Sequence, residues 1–317
     1  MWVIAISTFW TILGAILFRF QFVTSKLPKL IGRSLYWVGF PVQIFALAHK
    51  SNFTKAIWVP PLTTIQVLLL GLVLASLSLY YLKPVVYYLL NNKISDDVCP
   101  TNRSSQGSFI LASMLGNTGY VGLAIAPAFV SKSYLAWIVL YGVAHNLFGS
   151  YGLGVFLASY FGRSGQGSHW WIQLRDIISV PSLWAFAIGW YSRNIQFPEF
   201  IESGLHTCVS FVIPSAFLLI GMQLSQFQGM ASLHSALVPT TLKMVVLPGI
   251  AGLSLTILGF SHDARLAMVL MSGMPTAFVN VILAEEYNLD RQLATSSILL
   301  STLMLPLMIP FWLALFG

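Results

Sequence analysis

Gly116, Asn117, Thr118 and Gly119 interrupt a run that is otherwise apolar from Phe109 to Val130, and Gly273, Met274, Pro275 and Thr276 interrupt a second run in the same way. Proline removes a backbone donor and clashes with the preceding turn, at about 3 kcal/mol inside a helix, while Asn and Thr are natural caps where a helix restarts. Two broken helices are therefore expected. In mid-bilayer the freed amides and carbonyls have no water, so they must be buried in protein or line a polar cavity. The half-helix restarting after each break turns its N-terminal amides and positive dipole end toward that cavity, a geometry suited to a carboxylate. Asn117, Thr118, Thr276 and Asn280 can add side-chain hydrogen bonds to such a guest.

Few other polar residues occur in apolar surroundings, where ionisable groups tend to be functional. His145 and Asn146 fall midway along one apolar segment and Gln43 within another; each either lines the site or bonds one helix to the next. Lys243 comes one turn after Pro239, near the expected start of a segment, so its stem is expected to snorkel to the interface. Glu285 and Glu286 read as solvated charges at a helix end. On this reading the breaks supply polarity without fixed charge.

The elements that must hold these groups follow from composition. Of 317 residues, 57% are hydrophobic and 8% charged, against about 25% charged in a soluble domain. Uncharged stretches such as Ala56 to Leu82 and Ser104 to Ser131 exceed the roughly 20 residues that cross a bilayer as a helix. The fold class is an all-α polytopic membrane protein. Spans are expected near 1–19, 34–49, 57–82, 107–130, 134–161, 177–193, 205–226, 236–260, 264–286 and 291–316, which makes ten. The polar breaks Asn91 to Gln106 and Arg163 to Asp176 read as linkers, with Trp170 and Trp171 at an interface. Met1 to Phe18 lacks a basic start and reads as a retained first span.

Ten Lys and Arg residues lie at span ends on one side and five on the other, which puts both termini outside the cytoplasm. The net charge of +7 is dispersed over those ends, so it reflects topology and not a nucleic-acid surface. Span two (VGFPVQIFALA) and span seven (FVIPSAFLLIG) each admit one proline, and spans four and nine each carry the small, polar break. Five being odd, two such halves face opposite ways. The expected domains are an inverted pair, residues 1–162 and 177–317, joined by a cytoplasmic linker at 163–176.

No HExxH zinc pair or GxSxG nucleophile elbow occurs, and neither Cys99 nor Cys208 belongs to a metal motif. An enzyme is not expected, nor a cofactor or metal.

The stretch GNTGYVGLA from Gly116, the run GMPTAFVNVILAEEYNLDRQLATSSILLSTLMLPLMIP from Gly273, and the proline-centred spans two and seven resemble the auxin efflux carrier family, in its prokaryotic form with short loops. The resemblance implies spans four and nine crossing at their breaks, with spans one, two, six and seven forming a scaffold that supports a homodimer. It implies transport of a small organic anion, a carboxylate, dicarboxylate or auxin-like weak acid, across the inner membrane by alternating access. Asn117 and Gly119 match the first crossover motif, Pro275 with Thr276 the second, and Asn146 the span-five asparagine near substrate. One departure stands out: Gly122, Leu123 and Ala124 replace the family's Gly-Leu-Pro, with a proline only at Pro127. The coupling ion, H+ or Na+, stays open, and the rivals are a sodium symporter of the bile-acid carrier type, a channel and an anion-sensing receptor.

Overall fold

The computed structural model describes residues 2–24, 26–50, 56–98, 100–162, 181–225 and 233–317. In chain order its helices are α1 (Trp2–Arg19), α2 (Leu27–Lys50), α3 (Val59–Val98), α4 (Arg103–Met114), α5 (Thr118–Ala128), α6 (135–161), α7 (Pro181–Tyr191), α8 (Glu199–Ser225), α9 (Leu233–Ile257), α10 (His262–Ser272), α11 (Val279–Glu286) and α12 (Arg291–Phe316). Five stretches among the described residues are long and apolar enough to cross a membrane: Leu27–Lys50, Val59–Tyr81, Glu199–Met222, Leu233–Ile257 and Arg291–Phe316. Bilayer-facing residues such as Phe211, Ile257 and Leu307 leave large apolar side chains exposed. In water such a surface would demand a partner; for a membrane protein it is the face the lipid covers.

Helix ends depart from the apolar segments in one consistent way. α2 starts at Leu27 and not at residue 34, α8 at Glu199 and not at residue 205, and α3 runs to Val98 through the stretch expected to be a linker from Asn91. Polar residues end the hydrocarbon crossing without ending the helix, because backbone bonds persist in water. The remainder of that linker is short, with Asn102 capping α4 through the Ser105 amide. The linker at 163–176 and the Trp170 and Trp171 segment lie outside the described residues.

Two prolines follow a widened turn and leave their helix unbroken. Ahead of Pro41, residues Leu35–Gly39 form a π-helical turn, and ahead of Pro248 residues Leu242–Val246 do the same. The wider turn gives the proline ring room against the carbonyl one turn back.

α1 packs along α8, and α7 against the second half of α2. Close approach of the first pair depends on two glycines: a β-carbon at Gly14 would overlap the Leu218 carbonyl, and one at Gly221 the Thr11 carbonyl. In lipid, helix association rests on such van der Waals contact, since apolar side chains gain nothing by leaving hydrocarbon. α9 and α12 pack on α4, and α9 continues onto α10, which surrounds the interior ends of α4 and α10 with protein. At their outer end, Asp290 caps α12 through the Leu293 amide and also accepts from the Ser105 hydroxyl at 2.6 Å. Glu285 pairs with Arg291 at 3.0 Å with both side chains half exposed, and Glu286 is exposed, in line with solvated end charges.

Candidate functional site

Both interrupted helices stop where their sequences change. α4 ends at Met114 and α5 begins at Thr118, while α10 ends at Ser272 and α11 begins at Val279. The two extended linkers pair with each other. The Asn117 amide donates to the Pro275 carbonyl at 2.6 Å and the Ala277 amide to the Leu115 carbonyl at 2.9 Å, with Gly116 and Thr276 facing one another in a single antiparallel bridge. This is β-ladder chemistry used for one rung, and it satisfies backbone groups that have no water to turn to.

The remaining ends are closed by side chains. Asn117 Oδ1 accepts from the Tyr120 amide, capping α5. Thr276 Oγ1 donates to the Ala112 carbonyl at 3.2 Å and Asn280 Nδ2 to the Leu111 carbonyl at 3.3 Å, so both serve the last turn of α4. The Thr276 amide itself donates to Ser301 Oγ of α12. His145 Nε2 accepts from the Gly116 amide at 3.2 Å, which fixes the tautomer with hydrogen on Nδ1, an atom left without a partner. Gln43 Nε2 donates to the Leu123 carbonyl, a helix-to-helix bond.

Lys243 overturns its expectation. Instead of snorkelling, it is fully buried, and its Nζ donates to the Ser272 carbonyl at the end of α10. The residue sits in the widened turn of α9, ten positions into the helix and well away from its start. Its stem reaches inward, so that a β-carbon on Gly116 would lie 2.7 Å from both Cε and Nζ. The expectation of a break without fixed charge fails with it. The only sequence signal was a lone lysine in span eight, and periodicity does not say which way one side chain turns.

Beside the paired linkers lies a cavity of about 250 Å³ lined by Gly116, Asn117, Gly119, Asn146, Ala277, Phe278 and Val279, with apolar walls from Phe40, Ile44, Leu219 and Ile220. Gly119, Phe278 and Val279 line it, and their amides have no acceptor among the described residues. Of the residues singled out from sequence, Asn117, Gly119 and Asn146 line the cavity; Thr118, Gln43, His145, Pro275, Thr276 and Asn280 stand behind it, most of them holding backbone. Ser150 and Tyr151 were missed, because small and aromatic residues in an apolar segment carry no polar signature.

Residues 171–313 match the family model described as membrane transport protein. Over 298 residues the chain is 22% identical to an uncharacterized transporter of Methanocaldococcus jannaschii, covering 92% of this chain and 91% of the relative. It is also 25% identical over 207 residues to an uncharacterized transporter of Methanothermobacter thermautotrophicus, covering 65% and 66% of the two chains. These findings place the chain with membrane transporters and not with enzymes. Helices that suit a bilayer, likeness to transporters over most of the chain and the two broken-helix motifs converge on one statement: the chain is a membrane transporter, similar over residues 171–313 to the membrane transport protein family.

Proposed function

We propose that the chain is a secondary carrier of a small organic anion, working by alternating access about the cavity beside the paired breaks. The observation that carries this reading is the set of unpaired amides of Gly119, Phe278 and Val279 at the starts of two half-helices, all lining one cavity of about 250 Å³. Free N–H groups at helix N-termini are suited to a carboxylate, and the apolar walls suit a small carbon skeleton. Asn146 has its amide 3.6 Å from where a Gly119 β-carbon would be and no hydrogen bond of its own among the described residues, which leaves it available to substrate.

The architecture we infer is ten spans in two inverted repeats, residues 1–162 and 177–317, with the broken spans crossing at mid-membrane. The reciprocal packing of α1 on α8 and α7 on α2 supports it, since exchange of the halves maps one contact onto the other. In this scheme α1, α2, α7 and α8 form the scaffold and the stitched breaks move as a unit against it. The protein is read as a homodimer in the inner membrane with both termini outside the cytoplasm. Coupling to protons or to membrane potential is the reading we hold over sodium symport.

Counterflow in proteoliposomes tests the proposal. A carrier loaded with unlabelled malonate or a related carboxylate accumulates labelled substrate transiently. A receptor passes none, and a channel equilibrates label without overshoot; either result overturns the reading.

A further inference from the structure

We infer that Lys243 supplies the positive charge that makes the cavity select anions, acting beside Gly116; this rests on the carrier reading above. Four helix ends meet at the paired breaks: the C-termini of α4 and α10, each near −0.5 of an elementary charge, and the N-termini of α5 and α11, each near +0.5. To first order these cancel. What remains is the amine of Lys243, fully buried, with one hydrogen bond to the Ser272 carbonyl, and an anion beside that amine would hold it in its charged form. Among the described residues no aspartate or glutamate is buried, so no acidic partner within the protein interior balances it. An unpaired interior charge is costly, and an anion entering beside it removes that cost.

The geometry gives the charge access to the cavity. Gly116 lines the cavity, and a β-carbon built on it would stand 2.7 Å from Lys243 Cε and Nζ. Gly116 is thus common to the cavity wall and to the surroundings of the lysine. The absence of a side chain at Gly116 is what lets Nζ approach so closely. A neutral donor could cap Ser272 equally well, so the hydrogen bond alone does not account for a lysine here.

The test compares a dicarboxylate, malonate, with its neutral isostere malonamide, by thermal shift on purified full-length protein and by counterflow. Wild type is expected to bind malonate and to prefer it. Lys243→Gln keeps a donor for Ser272 and removes the charge; its malonate affinity is expected to fall about tenfold or more, with malonamide binding little changed and Lys243→Arg restoring the preference for the anion. A Lys243→Gln protein that keeps the full preference overturns the assignment, leaving selection to the helix amides. Gly116→Ala provides the second route, since it displaces Nζ without removing it: unchanged malonate affinity there also overturns the proposal. If wild type binds malonate but shows no counterflow, the carrier reading fails while the charge assignment is still decided by the binding arm.

Discussion

Thr276 Oγ1 donates to the Ala112 carbonyl at 3.2 Å across 164 positions of sequence, so a residue from the second break completes the last turn of the helix that leads into the first. Thr276→Val removes the donor at nearly constant volume and leaves a buried carbonyl unpaired, a loss of about 1–3 kcal/mol. The expected result is a lower Tm for purified protein, with substrate affinity in the surviving fold close to wild type and Thr276→Ser restoring stability. A large affinity loss at unchanged Tm would mean instead that the hydroxyl contacts substrate.

Asn146 and Gly119 face one another at the cavity wall, and substitutions there are expected to act on binding and not on folding. Asn146→Ala removes a hydrogen-bonding partner and should raise the apparent KM about tenfold. Gly119→Val places two methyl groups in the cavity and should abolish uptake. Monodispersity and Tm should hold in both variants; unchanged uptake by Gly119→Val would relocate the site.

The α1 and α8 contact gives a third prediction, located far from the cavity. Gly221→Val drives its side chain into the Thr11 carbonyl, and overpacking of this kind costs about 1–3 kcal/mol. Lower Tm and lower yield are expected, and Gly14→Val should behave alike because the overlap with Leu218 is of the same sort. The double variant is expected to cost less than the sum, since either change alone already separates the helices. Strict additivity would show that the two glycines act in different contacts.

The charge bias of ten against five gives an orientation that can be measured directly. A reporter protein active only outside the cytoplasm, fused after Gly317, is expected to be active, and one fused within residues 163–176 inactive. The opposite pair of outcomes would invert the topology.

The breaks at Asn117 and Pro275 were legible from sequence because glycine and proline act on the chain's own backbone, and that effect is local. The roles of Thr276 and Asn280 were half legible: their hydrogen-bonding capacity was evident, but whether a donor turns to a guest or to a neighbouring carbonyl depends on a helix more than 160 residues away. Gln43 and His145 are each bonded to backbone at a break or beside it, a partner that their positions in the sequence did not name. Lys243 was misread because a snorkelling lysine and an inward one differ only in the direction of one flexible stem. Helix ends past the apolar segments, as in α3, were missed because hydropathy reports the edge of the hydrocarbon and not the end of hydrogen bonding.

The single rung between Leu115 to Asn117 and Pro275 to Ala277 bears on how the molecule is made. When the first break enters the bilayer from the ribosome, its partner is still untranslated. The Leu115 carbonyl and Asn117 amide must wait, solvated or shielded, until residues 275–277 arrive. Maturation of the first half is thus completed by the second, and a nascent chain ending before α10 is expected to stay protease-sensitive however well its other helices have inserted.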